Sequence, residues 1–338
     1  MKVIIWFAVF GFSSLFGLFG PGQLIAADKV LREAGRSAVA QDRRLVVAQD
    51  GSGDFKTVQE AINAVPDFRK VITTIFIKNG RYKEKLNLSA SKKMVTLIGE
   101  SLDKTILCYD DYAQKKNRFG EEMGTSGSSG FYIYGDDFTA KNITFENTAG
   151  PVGQAVALWV AGDKASFLNC RMLGFQDTLY TYGPGSKQYF YKCFISGTVD
   201  FIFGSATAIF EDCELFCKQP GFVTASSAPD SVKHGYVFLN CKITGTAPAQ
   251  SVYLGRPWRP YAQAVFLNCD LGAMIKPEGW NNWGKTSNEQ TAFYAEYKNK
   301  GIGSATEKRV GWAKQLSDQE AADYTIEKIF KGWIPAKS

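Results

Sequence analysis

One short pattern is written five times along this chain: Phe167-Leu-Asn-Cys170, Phe190-Tyr-Lys-Cys193, Phe210-Glu-Asp-Cys213, Phe238-Leu-Asn-Cys241 and Phe266-Leu-Asn-Cys269. The repeats stand roughly 20 to 28 residues apart, an interval that marks a solenoid. Strands recurring at that distance bury their apolar faces by stacking, one coil about 4.8 Å above the last. The expected fold is therefore all-β, a parallel β-helix.

Stacking also dictates which distant residues become neighbours. Between Gly174 and Gly204 two aspartates, Asp177 and Asp200, occupy apolar, aromatic, strand-like surroundings where a lone carboxylate is costly to bury. One coil separates Asp177 from Asp200, and one separates Gln154 from Gln176. Two carboxylates and two amides are thus expected on one patch of sheet.

The ends of the chain read differently. Residues 1–27 carry one charge, Lys2, followed by an apolar run from Val3 to Phe19, a Gly20-Pro-Gly22 break and Ala26-Ala27. That layout predicts a secretory signal peptide cut near Ala27, with an uncleaved membrane anchor as the competing reading. Residues 28–44 then form a linker and 45–335 the β-helix domain, and the protein is expected to be secreted or periplasmic. A net charge of +6 in 338 residues suits an acidic polymer as partner. Without dense Lys/Arg clusters among aromatics, nucleic acid is set aside, and no membrane association is expected once the signal is removed.

Seven cysteines leave at least one thiol without a partner in the chain. Five share one place in the repeat, which favours a ladder of small buried side chains. One coil of spacing between Cys170 and Cys193 also permits a disulfide.

Taken in order, Leu45–Ala48 is a first strand, and Thr57 to Val65 has helical spacing with a Thr-x-x-Glu start. That helix is expected to cover the open N-terminal end of the solenoid. Strands are expected at 71–77, 93–99, 105–108, 131–134, 140–145 and 155–160. The polar, glycine-rich stretch from Tyr109 to Gly130 is a loop thrown out from the coils. Beyond Trp280 the period is lost, and a loop-rich tail ending in a helix over 318–331 is expected to fold back over the solenoid.

His234 is the only histidine, so histidine-rich metal sites are excluded and a Ser-His-Asp device has a single base with no Gly-x-Ser-x-Gly elbow. His234 reads as a surface or turn residue. Carboxylate chemistry remains: of two adjacent aspartates, one is pushed to hold its proton while the other stays charged. Arg256 can pair with Asp200 through a two-pronged contact. Gln154 and Gln176 can aim N–H groups at a developing oxyanion, or simply bond to each other along the solenoid.

Five stretches, Gly80-Arg-Tyr-Lys-Glu84, Gln154-Ala-Val-Ala-Leu158, Gly174-Phe-Gln-Asp-Thr-Leu-Tyr180, Gly197-Thr-Val-Asp-Phe-Ile-Phe-Gly204 and Leu254-Gly-Arg-Pro-Trp258, resemble in order the motifs of the pectin methylesterases. The resemblance runs from about Leu45 to near Pro335. It implies a right-handed parallel β-helix that hydrolyses galacturonate methyl esters with no metal or cofactor. It assigns Asp200 as nucleophile, Asp177 as general acid and then base, Gln154 and Gln176 as oxyanion donors, and Arg256 as partner of Asp200. Trp258 resembles the family's sugar-stacking residue, and Thr125, Tyr180, Val199 and Phe203 fall where substrate contacts are expected. The implied partner is methylated pectin, met by a monomer. The short pre-sequence resembles a bacterial secreted form and lacks the long inhibitory pro-region of the plant pattern. A Gly183-Pro-Gly-Ser insertion lengthens the turn between the two aspartates.

Three rivals stay open at this point. A glycoside hydrolase on the same scaffold also uses paired carboxylates but leaves both glutamines and Arg256 without roles. A related esterase or thioesterase keeps the motifs with a different groove. A non-catalytic carbohydrate-binding β-helix needs no acids at matched positions.

Overall fold

The computed structural model describes residues 43–337; the signal-peptide reading and most of the linker lie outside them. The described chain winds into three sheets of 11, 7 and 8 strands, and the strands pair in parallel from coil to coil. It is a parallel β-helix.

The five-fold pattern shows how the coils are built. Phe167, Phe190, Phe210, Phe238 and Phe266 are register partners in the 11-stranded sheet. Their rings stack inside the solenoid with centroids 4.9, 4.7, 4.6 and 4.2 Å apart. The third residue of each repeat, Asn169, Lys192, Asp212, Asn240 or Asn268, has φ between 51° and 54°. That left-handed residue, a position asparagine and aspartate tolerate, turns the chain into the next sheet. The pattern is thus a strand end plus a corner rather than a strand alone.

The same corner corrects the expected strand over 140–145. The chain there makes two strands, Thr139–Lys141 and Thr144–Asn147, parted by Asn142 at φ 55°.

After each corner the cysteine points inward. All seven cysteines are buried and free, so the Cys170–Cys193 disulfide does not form. Each repeat thiol instead approaches a carbonyl one coil back, Cys193 Sγ with Phe167 O at 3.4 Å and Cys213 Sγ with Phe190 O at 3.3 Å. The thiols behave as small core groups with weak donors.

A helix over Val58–Asn63 covers the N-terminal end, burying Val58, Ala61 and Ile62 against the first coils. Thr57 caps it with Glu60 in a reciprocal capping box.

At the other end the solenoid continues past Trp280, contrary to expectation. Phe293–Tyr297 and Lys314–Gln315 add two more strands to the 11-stranded sheet. Glu296 and Arg309 form a buried ion pair there, Oε1 to Nε at 2.7 Å, and Arg309 also donates to the carbonyls of Lys276, Pro277 and Gly303.

The tail then makes two short helices, Asp318–Ala321 and Ile326–Phe330, rather than one. Ile329 and Phe330 cover the outward residues Leu168, Tyr189, Ile209 and Val237 of the large sheet. His234 lies beneath this tail, not on the surface. It is 8% exposed, with its ring edge-on to Tyr324 at 5.6 Å.

Candidate active site

The seven-stranded sheet carries the site on its outward face. The two aspartates do not sit in its strands: Asp177 and Asp200 occupy turns just before Leu179–Thr181 and Ile202–Gly204, at φ 63° and 51°. Because those strands are in register, the aspartates come one coil apart. The Asp177 N–H donates to Val199 O at 3.0 Å, tying one turn to the other. Gly197 makes the second turn possible, since a Cβ there would stand 2.2 Å from Phe201 Cβ and 2.6 Å from Phe175 O.

Gln154 and Gln176 form a parallel bridge one coil apart, yet their side chains do not bond to each other. Gln114 Nε2 donates to Gln154 Oε1 at 3.1 Å, and the Ala113 N–H donates to Gln154 O at 2.8 Å. Among the described residues neither Gln154 nor Gln176 donates its own amide N–H. Gly153, at φ 105°, leaves room for Gln114; a Cβ there would lie 3.1 Å from Gln114 Oε1.

The loop over 109–130 is pinned rather than loose. Lys85 and Lys115 both pair with buried Asp111, at 2.5 and 2.8 Å. Ser128 Oγ donates to Thr125 O at 2.7 Å and accepts the Val156 N–H at 3.1 Å, which holds Thr125 at the rim.

Arg256 reaches down from the end of strand Val252–Gly255 and grips Asp200 with both prongs, Nε to Oδ1 at 2.9 Å and Nη2 to Oδ2 at 2.7 Å. Its guanidinium carbon lies 3.9 Å from the Phe222 ring centroid and 3.8 Å from that of Trp283, contacts that favour the cation.

These groups face one cavity of about 300 Å³. Thr125, Gln154, Gln176, Asp177, Tyr180, Asp200, Phe203, Arg256 and Trp258 all line it. Val199 is not among the lining residues; its carbonyl accepts the Asp177 N–H. Reasoning from the sequence missed Trp283, Phe222 and Gln114. Trp283 lies where the period fails, and its only sequence signal is the turn-forming Asn281-Asn-Trp-Gly284, in which Asn281 Oδ1 accepts the Trp283 N–H at 2.8 Å.

The environment treats the two carboxyl groups unequally. Asp177 is 7% exposed and Asp200 5%. Burial, with the nearby Asp200 charge adding to it, pushes Asp177 well above the usual carboxylate range. Burial raises Asp200 too, and the Arg256 contacts offset part of that rise. One proton donor and one paired carboxylate, beside two amides with unused N–H groups, can carry out acyl transfer.

Residues 44–333 match the family described as Pectinesterase. The chain belongs to the pectinesterase family. Membership makes it a carboxylic ester hydrolase, and the fold agrees with solved relatives. Over 292 residues the chain is 42% identical to Pectinesterase 31 of Arabidopsis thaliana, covering 85% of this chain and 92% of that one. The chain spans only 44% of the longer Putative pectinesterase/pectinesterase inhibitor 28 of the same plant, to which it is 37% identical. Among structures, pectin methylesterase from carrot superposes with a TM-score of 0.78 at 36% identity, over 85% of this chain and 93% of that one. Pectin methylesterase PemA from Erwinia chrysanthemi gives 0.77 at 32%, over 88% and 99%. No helix among the described residues is long and apolar enough to cross a membrane.

Proposed function

We propose that this pectinesterase hydrolyses the methyl esters of galacturonate units in pectin, with Asp200 as nucleophile and Asp177 as acid and then base. The observation that carries the reading is the unequal pair in one cavity: Asp200 gripped by Arg256, Asp177 buried without a cation of its own. A similar protein, a pectin methylesterase, has been solved in complex with a hexasaccharide, which supports a polymeric substrate.

Asp200 attacks the ester carbonyl carbon, and the carbonyl oxygen takes up negative charge. The amide N–H groups of Gln154 and Gln176 stabilise it. As the tetrahedral species collapses, Asp177 gives its proton to the departing methoxide, releasing methanol and leaving an acyl anhydride on Asp200. Asp177, now a carboxylate, takes one proton from water, which attacks the acyl carbon and frees Asp200 as a carboxylate and the uronic acid, whose own proton is lost to solvent. Trp258, Tyr180, Phe203, Thr125 and Val199 contact the sugar chain, and the Val199 carbonyl also holds the Asp177 turn.

The protein works as a monomer after export, secreted or periplasmic, and takes neither nucleic acid nor membrane as partner. Replacing Asp200 tests the roles. Asp200→Ala lowers turnover by more than about a thousandfold with an unchanged circular dichroism spectrum; a smaller loss rules out a covalent role.

A further inference from the structure

Next to the catalytic cavity the seven-stranded sheet carries a second feature that the chemistry above leaves unused. Strands Phe131–Ile133, Leu158–Val160 and Leu179–Thr181 are neighbours in register. The ladder runs one residue further, with Ala161 N–H donating to Ile133 O at 2.8 Å and Tyr182 N–H to Val160 O at 2.7 Å. Tyr134, Ala161 and Tyr182 therefore stand in file on three successive coils. The two tyrosines are about 10 Å apart along the stack, with Ala161 in file between them.

Both tyrosines are exposed, Tyr134 by 37% and Tyr182 by 44%, and both are held. Tyr134 stacks on Tyr132 at 6.2 Å and 9°. Tyr182 packs against Trp159 at 5.3 Å and edge-on to Tyr180 at 5.7 Å. Its backbone is fixed by the Gly183–Ser186 turn: Ser186 Oγ and the buried Gln188 Nε2 donate to Tyr182 O at 3.0 and 3.1 Å. The inserted turn noted in the sequence thus fixes an exposed aromatic ring. Tyr180, which meets Tyr182 edge-on, lines the catalytic cavity, so the slot stands beside that cavity and reaches onto coils nearer the N-terminal end of the solenoid.

We propose that the slot between Tyr134 and Tyr182, floored by Ala161, is a distal subsite for a pyranose ring of the polymer. Exposed rings fixed two coils apart suit the C–H face of a sugar and leave its hydroxyl groups in water, as amphipathic aromatic contacts do. The proposal rests on the methylesterase reading, because the ligand is a remote unit of the same chain whose ester sits over Asp200. The slot lengthens the bound stretch and favours long substrates over short ones.

The test measures methanol release from methyl-esterified oligogalacturonides of increasing length and from pectin. In the wild type kcat/KM rises with length until the slot is filled. Tyr134→Ala/Tyr182→Ala loses roughly tenfold on pectin, the size two such contacts supply together, and nothing on the shortest substrate. Tyr134→Phe/Tyr182→Phe keeps the rings and the length dependence. Equal loss at every length, or no loss on pectin, overturns the slot while the esterase reading stands. Wild type releasing no methanol at any length overturns that reading and the slot with it.

Discussion

Arg256 and Asp200, 56 residues apart in the chain, meet through two parallel contacts of 2.9 and 2.7 Å. The solenoid makes this possible, because the coil that carries Phe222 lies between them and Arg256 crosses it. Phe222 and Trp283 pack on the guanidinium, which restricts the side chain to the orientation that serves Asp200.

Arg256→Leu is expected to lower kcat/KM by roughly a hundredfold at neutral pH, the scale of losing a charged contact in a desolvated site. The sign of the pH effect follows from the pairing. The cation favours ionised Asp200, so without it Asp200 holds its proton to higher pH and the acidic limb of the pH–rate profile moves up. Phe222→Leu moves the same limb in the same direction by less, since one cation–π contact contributes about 0.5–2 kcal/mol. Uniform loss at all pH values makes Arg256 a structural residue.

Trp258 lines the cavity beside Tyr180 and Phe203, with ring centroids 6.2 and 5.9 Å away. Trp258→Ala is expected to lower kcat/KM far more for pectin than for a small methyl or nitrophenyl ester, because only the polymer loses a stacked ring. Comparable losses on both substrates assign Trp258 to holding the site together.

Phe210 sits mid-stack between Phe190 and Phe238, at 4.7 and 4.6 Å. Phe210→Ala leaves a cavity that the neighbouring coils cannot close and is expected to cost about 3–5 kcal/mol in urea denaturation. A cost below about 1 kcal/mol means that the stack repacks freely.

The five-fold repeat made the solenoid legible, and coil spacing alone brought Asp177 to Asp200 and Gln154 to Gln176. Arg256 and Trp258 were legible through their motif. What escaped is what the period does not carry. Trp283 comes from an irregular connection beyond Trp280, Gln114 from the loop over 109–130, and Phe222 from a strand whose outward face gave no sign of a cation above it. The cysteines were legible as a ladder but not as unpaired, since one coil of spacing suits a disulfide and a thiol–carbonyl contact alike. His234 was misplaced because burial by the tail depends on Tyr324, 90 residues later, which no local pattern signals.

His234 gives a stability prediction with a definite sign. Burial, aided by the positive charges of Lys233 and Lys331, lowers its pKa below the ordinary 6.5, with Asp323 opposing. A base whose folded pKa lies below its unfolded value leaves stability intact above about 6.5 and removes it as pH falls through that value. Denaturant midpoints should drop below pH 6.5 in the wild type and less steeply in His234→Gln. Identical pH dependence in the two proteins removes His234 from the account.

The central claim is ester hydrolysis by the Asp200–Asp177 pair, and the most direct measurement follows methanol and reducing ends together in one incubation of the protein with highly methylated pectin. The account predicts methanol accumulating with no rise in reducing ends, and neither product with Asp200→Ala. Reducing ends appearing without methanol would contradict it and leave the two aspartates as a glycosidase pair.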